Sequence, residues 1–294
     1  MAAPKIPSVA QFPKPHGRTM VELTSRVQAG PALAPSGENF TAGADRFGFA
    51  LFDRQRKQIT DAPGALYVAR TPNSPVRGPF PVRWESLKVS GHYLSKTVAT
   101  DPDAAKTLYV ANLRFPKTGK WIVLGLFRLD NRLVGAPTAI KVLKTSAIPA
   151  VGDKAPKIHT PTVASVGGDV AKIDTRDPHD DMHDVDYASA LGKRPIILLF
   201  ATPALCQSRV CGPVVDIAEQ VKHQRPSQNV AWIHMEVYKD NNLNKGLRPQ
   251  LLAYHLQSEP WLFAINKKGR IAAVLEGAYS ANELNHAVDA AVKG

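Results

Sequence analysis

Cysteine is nearly absent from this chain of 294 residues: there are two, Cys206 and Cys211, five positions apart. A scaffold stapled by disulfides spreads its cysteines over distant segments, so that class is excluded, and a pair this close points to redox work or metal binding. Long apolar runs are missing as well. No stretch approaches the roughly 18 residues that a membrane-spanning helix needs, and the opening MAAPKIPSVAQFPKPHG lacks the apolar centre of a secretion signal. Residues 1–15, Pro-rich and polar, read as a tether of the kind left when a leader or membrane anchor is removed. An extracytoplasmic location, secreted or membrane-anchored, is therefore expected.

Acidic residues are scarce in one half only. Residues 1–149 hold 21 Lys and Arg against 9 Asp and Glu, whereas residues 150–294 hold 16 of each, so the net charge of +12 lies entirely in the first half. A basic half is drawn to anionic surfaces such as phospholipid headgroups or cell-wall polymers. Its basic residues are scattered, with Arg54, Arg56 and Lys57 the one tight group, and no nucleic-acid motif accompanies them. Nucleic acid is thus not an expected partner, and surface solubility is the plainer reading of the charge.

With 44% hydrophobic and 21% charged residues, the chain has the composition of a globular protein long enough for two cores. Residues 16–145 predict the first, an all-β sandwich. Phe47, Phe49 and Leu51 open it, followed by Ala65-Leu66-Tyr67-Val68, Leu108-Tyr109-Val110-Ala111 and Trp121-Ile122-Val123-Leu124, with Gly, Pro and Asp signals between them. The tyrosine-bearing strand, the turn Lys117-Thr118-Gly119 and the Trp121 strand are expected to form a hairpin, and residues 101–105 a short helical turn. Trp84 and Trp121 read as core and His92 as an ordinary surface histidine. Nothing here suggests catalysis, so the sandwich is taken as an accessory domain resembling immunoglobulin-like ones.

Residues 146–294 predict the second domain. TSAIPAVGDKAPKIHTP (residues 145–161) runs from linker into domain, and residues 163–173, centred on Gly167-Gly168, suggest a first hairpin. Pro195-Ile196-Ile197-Leu198-Leu199-Phe200 is an apolar run suited to a strand buried on both faces. It leads directly to ATPALCQSRVCGP (residues 201–213) and then to Val214, Ile217, Ala218 and Val221 at helical spacing. Ala231-Trp232-Ile233-His234-Met235 is the next strand. Helix, Glu259-Pro260, strand, Asn266-Lys267-Lys268-Gly269 turn, strand and terminal helix close the chain.

Strand, cysteine loop, helix, strand, proline and hairpin in this order resemble the thioredoxin superfamily. The opening Val151-Gly152-Asp153-Lys154-Ala155-Pro156 is similar to that of peroxiredoxins and exported thioredoxin-like reductases. The resemblance implies a cis peptide before Pro260 and a substrate-docking loop formed by Glu259, Pro260 and Trp261. It implies catalysis by Cys206 and Cys211, aided by Arg209 between them, with a protein thiol or disulfide as partner and no cofactor. In the family a buried acid assists proton transfer; the equivalent position falls at Leu199, so fast exchange is not expected.

The spacing of the cysteines departs from the usual Cys-x-x-Cys. Cys211-Gly212-Pro213-Val214 is similar to the family's Cys-Gly-Pro-Cys with Val214 in place of the second thiol. Thr202-Pro203-Ala204-Leu205-Cys206 followed by Cys211 instead resembles peroxiredoxins whose resolving cysteine lies five residues on, although the threonine stands one residue too early. Five helical residues rise about 7.5 Å, beyond the roughly 7 Å reach of a disulfide, so a Cys206–Cys211 bond requires loop before the helix. Pro213 suits a first helical turn. Three functions stay open: thiol–disulfide oxidoreductase, thiol peroxidase, or a copper-binding or adaptor protein with His159, His234 or His255 as the added ligand. His179 and His183, four apart among acidic residues, read as a solvated turn.

Overall fold

The computed structural model describes residues 8–226 and 228–294. They form two compact units. One comprises the chain up to Ser86 with Lys106–Ser146; the other joins Leu87–Ala105 to Ala147–Gly294.

The first unit is a pair of β-sheets. Its longer strands are β1 (Ala32–Pro35), β2 (Gly43–Phe52), β3 (Gly64–Ala69), β4 (Arg77–Pro81), β5 (Arg83–Ser86), β6 (Thr107–Phe115), β7 (Gly119–Leu129) and β8 (Arg132–Leu143). One sheet runs β1-β2-β6-β5 and the other β8-β7-β3-β4. Aromatic side chains fill the space between them: Phe47, Phe49, Tyr109 and Phe127 are fully enclosed and lie ring to ring. The Tyr109 hydroxyl accepts from the Ala62 N–H and donates to the Ile59 carbonyl, so the phenol is buried without an unpaired oxygen.

Three expectations for this unit are corrected. The strands around Lys117-Thr118-Gly119 are not a hairpin, because β6 and β7 lie in different sheets. Phe115 and Trp121 flank the turn and both are buried in the core, 5.4 Å apart edge to face. The hairpin is instead β7–β8, closed by Asp130 and Asn131 in the left-handed region, the conformation a two-residue hairpin favours. Part of the expected tether also belongs to the fold. Phe12 is 3% exposed in a cluster with Met20, Leu23 and Tyr67, and the Tyr67 hydroxyl donates to the Pro13 carbonyl at 2.7 Å. Residues 1–7 of that tether lie outside the described residues. Trp121 is enclosed and Trp84 packs half-buried against the same core.

The third correction concerns the extent of the sandwich within residues 16–145, whose end lies at Ser146. Leu87–Ala105, expected within the sandwich, belongs to the cysteine-bearing unit. Ser95 caps the short helix α1 (Lys96–Ala99), and its N–H and hydroxyl both donate to the buried Asp216 carboxylate. The Lys96 N–H donates to the Asp177 carbonyl at 2.7 Å. Hydrogen bonds to buried groups hold this excursion in place, a signal that hydropathy does not carry. Residues 101–105 form a turn after α1.

The second unit is a four-stranded sheet, β10-β9-β11-β12, made of β9 (Ile196–Phe200), β10 (Ala231–Met235), β11 (Trp261–Ile265) and β12 (Ile271–Glu276). β9 is parallel to β10 and antiparallel to β11. Helix α2 (Cys211–Gln224) connects β9 to β10, α3 (Pro249–Ala253) precedes β11, and α4 (Ala281–Lys293) follows β12. All five residues of β9 are buried, as a strand covered on both faces requires. A capping box at Ser280 and Glu283 starts α4. The hairpin expected over residues 163–173 is absent. Gly167 and Gly168 both take positive φ between two 3₁₀ turns, Ala164–Val166 and Val170–Lys172, and local bonds satisfy the backbone there. Among the described residues no helix is long and apolar enough to cross a membrane.

Candidate functional site at the cysteine loop

β9 ends at Phe200, and the chain leaves the sheet as an irregular loop over residues 201–210 before α2 begins at Cys211. The non-helical backbone brings the two cysteines to a Cα separation of 5.9 Å, and they are joined as a disulfide. Cys206 is 7% exposed and Cys211 is fully enclosed, so Cys206 is the more accessible residue of the two. Cys211 is the first residue of α2, whose N-cap Val210 provides no side-chain bond. The free N–H groups and the dipole of that helix end favour a thiolate at Cys211 once the disulfide opens. Gly212 meets Val98 of the inserted segment, where an added Cβ would stand 2.7 Å from a methyl group.

Arg209, expected to act on the thiols, takes φ +59° and pairs with Asp101 at 3.2 Å, while its carbonyl accepts from the Ala105 N–H. Its guanidinium, 56% exposed, is thus paired with the inserted segment. Trp261, by contrast, is corrected as a substrate-docking residue. It is 2% exposed, donates its indole N–H to the Ser258 hydroxyl and stacks on Phe263, a core position offering substrate no surface. The Glu259–Pro260 peptide is cis.

The site contains an acid that Leu199 does not supply. The Glu259 carboxylate and the sulfurs of Cys206 and Cys211 all lie within 4.8 Å of one another. Glu259 accepts from the Thr202 N–H at 2.6 Å. Burial pushes its carboxyl up to about 7, against the opposing pull of the Thr202 N–H and with a further push from Glu236. Glu236, itself raised by burial, accepts from the Thr175 N–H and hydroxyl at 2.7 and 2.8 Å. The Thr175 hydroxyl in turn accepts from the Ala204 N–H, and the Thr202 hydroxyl from the Val237 N–H. The cysteine loop is thus bonded at Thr202 and Ala204 to a buried acidic layer. Reasoning from sequence assigned Glu259 a backbone role only. An ionisable residue next to the proline that faces the cysteines was the available signal for a side-chain role.

The expected copper ligands do not gather here. Among the described residues, the metal-competent group at the cysteines contains Glu259 and no histidine. His159 pairs with Asp186 at 2.7 Å and His255 is exposed at φ +58°. His234 donates from Nε2 to the Ala201 carbonyl at 2.9 Å and sets Nδ1 2.7 Å from Asp180. The stretch around His179 is also corrected. Asp180 and His183 are 6% and 1% exposed, and Asp174 lies beside them, so the expected solvated turn is folded inward with its charges.

No family model matches the chain, and no curated protein does. Two solved structures from Chlorobium tepidum are similar to part of it. A candidate thiol:disulfide interchange protein DsbE shares 16% identity over 49% of this chain and 98% of its own, with a TM-score of 0.35. A thiol:disulfide interchange protein of the thioredoxin family shares 18% over 48% of this chain and 97% of its own, with a TM-score of 0.34. The strand order, the helix that follows the cysteine loop and the proline that leads into β11 are on their own the arrangement of the thioredoxin fold, and the unit that carries the cysteines is thioredoxin-like.

Proposed function

We propose that this protein is a thiol–disulfide oxidoreductase whose partner is a protein thiol or disulfide. The observation that carries the reading is the Cys206–Cys211 disulfide at the start of α2 with the Glu259 carboxyl beside both sulfurs. A partner thiolate attacks the sulfur of Cys206, the more accessible residue, the Cys206–Cys211 bond breaks, and a mixed disulfide forms at Cys206. The Cys211 sulfur leaves with the electron pair at the helix N-terminus and takes the proton of Glu259. A second partner thiolate then attacks the mixed disulfide, releasing the oxidised partner and the Cys206 thiolate. In the reverse direction Glu259 accepts the proton of Cys211 as that thiol closes the disulfide. The backbone of Glu259-Pro260 forms the edge against which the partner chain docks.

Disulfides persist best in oxidising compartments, and we place the protein outside the cytoplasm. We read the sandwich as an immunoglobulin-like accessory domain. This is supported by its two sheets, between which successive pairs of strands switch, in the orders β1-β2-β6-β5 and β8-β7-β3-β4. Its basic surface fits an anionic polymer or membrane. The test is a trapping experiment with Cys211→Ser and Cys206→Ser proteins and a disulfide-bearing protein substrate. Cys211→Ser is expected to accumulate a mixed disulfide at Cys206, read by mass spectrometry. No adduct on either variant would sink the reading.

A further inference from the structure

Away from the cysteines, four side chains converge in the interior of the same unit: Asp174, Asp180, His183 and His234. Each offers one ligand atom, and these atoms all lie within 4.8 Å of one another. All four residues are buried, at 1%, 6%, 1% and 1% exposure. His183 is the anomaly. Neither of its ring nitrogens makes a hydrogen bond, although the ring is enclosed. Its Nε2 stands 3.5 Å from Asp174 Oδ2 and 3.3 Å from Asp180 Oδ1, facing two carboxylate oxygens in hydrogen-bond geometry with neither. Those separations suit two ligands of one ion: with bonds of about 2.1 Å, the edge of a tetrahedron is about 3.4 Å. On the other side His234 Nδ1 lies 2.7 Å from Asp180 Oδ2 and 3.9 Å from Asp174 Oδ1.

We infer that Asp174, Asp180, His183 and His234 form a binding site for one divalent transition-metal ion, Zn2+ by ligand type. Two imidazoles and two carboxylates, with no thiolate, are a donor set zinc accepts. Two buried aspartates and neutral histidines leave a charge that a dication cancels, whereas an isolated carboxylate in the interior is expensive. Arg176, the nearby buried cation, is committed to Asp216 at 2.9 Å.

The surrounding bonds orient the donors. Asp174 Oδ1 and Oδ2 accept from the Arg176 and Asp180 N–H groups, each at 2.8 Å. Asp180 Oδ1 accepts from the Met182 N–H at 2.9 Å. His234 gives its Nε2 proton to the Ala201 carbonyl, which turns Nδ1 towards the carboxylates. His179 stands at the surface side, 43% exposed and 3.6 Å from Asp174. The rival occupant is a proton. Burial alone would push His234 down, but Asp180 and Asp174 hold it up at about 10, so an imidazolium could serve one carboxylate. That proton serves His234 alone, and His183, lowered by burial but raised on balance by the same two carboxylates, would need a second one.

The experiment uses the full chain, stripped with a chelator and titrated with ZnCl2 by calorimetry, then with CoCl2 by visible absorption. Expected are one ion per chain, tetrahedral cobalt bands without sulfur charge-transfer, and a higher Tm with zinc. His183→Gln should weaken binding on the order of 100-fold or more, since loss even of outer-shell partners costs 10–100-fold. His223→Gln, in the exposed group of Asp181, Glu219 and His223, and the Cys206→Ser/Cys211→Ser protein should bind as before. Nitrogen chemical shifts of the two buried imidazoles report coordination in the unaltered protein and cover the case in which His183→Gln does not fold. A flat titration, binding retained by folded His183→Gln, binding lost in His223→Gln, or two imidazole spectra unmoved by zinc would each overturn the site.

Discussion

The two units solve the same burial problem in opposite ways. The sandwich encloses aromatic rings, carries the whole charge excess on its surface, and among its described residues buries one charged side chain, Glu85. Its excess survives the corrected boundary, because residues 87–105 bring two lysines and two aspartates with them. The thioredoxin-like unit has no net excess yet encloses Asp174, Arg176, Asp180, His183, Asp216, His234, Glu236 and Glu283. Burying a charge is costly unless it is paired or used. Ionisable groups kept inside one unit and outside the other therefore locate the chemistry, and they do so independently of the cysteines.

The sharpest test of that contrast is at the sulfurs. Cys206→Ser should abolish disulfide exchange, and any conservative change on the sandwich should leave it intact, both read with a fluorescent disulfide substrate. Core damage separates the units by stability rather than rate. Phe49→Ala should cost about 3–5 kcal/mol by emptying an aromatic cluster, measured by denaturant unfolding, while the exchange rate in native buffer holds. A loss of exchange equal to that of Cys206→Ser would merge two units that the structure separates.

Glu259 gives the next effect. Reduction of the disulfide by a dithiol needs the protonated acid, so the rate, corrected for the reductant's own thiolate, should fall through about pH 7. Glu259→Gln should slow the step about 100-fold or less and remove that inflection; a stopped-flow pH profile decides it. Stability carries the same sign. Glu259 at about 7 and Glu219 at about 8 hold protons in the folded state that the unfolded chain has already released. Their contribution is therefore lost as pH rises from about 4.5 towards 8, which a series of melts will show. Other groups titrate over the same range, so Glu259→Gln is compared with the parent.

The inserted segment predicts a smaller change. Ser95→Ala removes a helix cap and a bond to buried Asp216, worth about 1–3 kcal/mol. It should appear in thermal melts, and a change below a few tenths would show that residues 87–105 are not held as described. A cut at residue 145 would remove this segment from the unit it completes, so the surface role of the sandwich is best tested on the full chain. Neutralising exposed Arg54, Arg56 and Lys57 together should weaken binding to anionic vesicles modestly, and added salt should weaken it in the parent. Salt-independent binding would leave the charge to solubility alone.

The sequence by itself determined the period-two aromatic strands, the fully apolar β9, the cysteine loop, the helix behind it and the Pro260 strand. Each is a local pattern read from residues within about a dozen positions. Only the tertiary structure decided that the turn at Lys117 passes between sheets and that Leu87–Ala105 completes the other unit. Those outcomes depend on which hydrogen-bonding partners and packing surfaces lie across the fold, as with Ser95 and Asp216, 121 positions apart. The acid of the redox site was hidden for the same reason. Its expected place, Leu199, lies on β9, whereas the carboxyl arrives from Glu259, a residue 60 positions away on the facing loop. His183 and His234, 51 positions apart, likewise share a buried cluster only once residues 180–183 are laid against β10, where the Met182 carbonyl accepts from the His234 N–H.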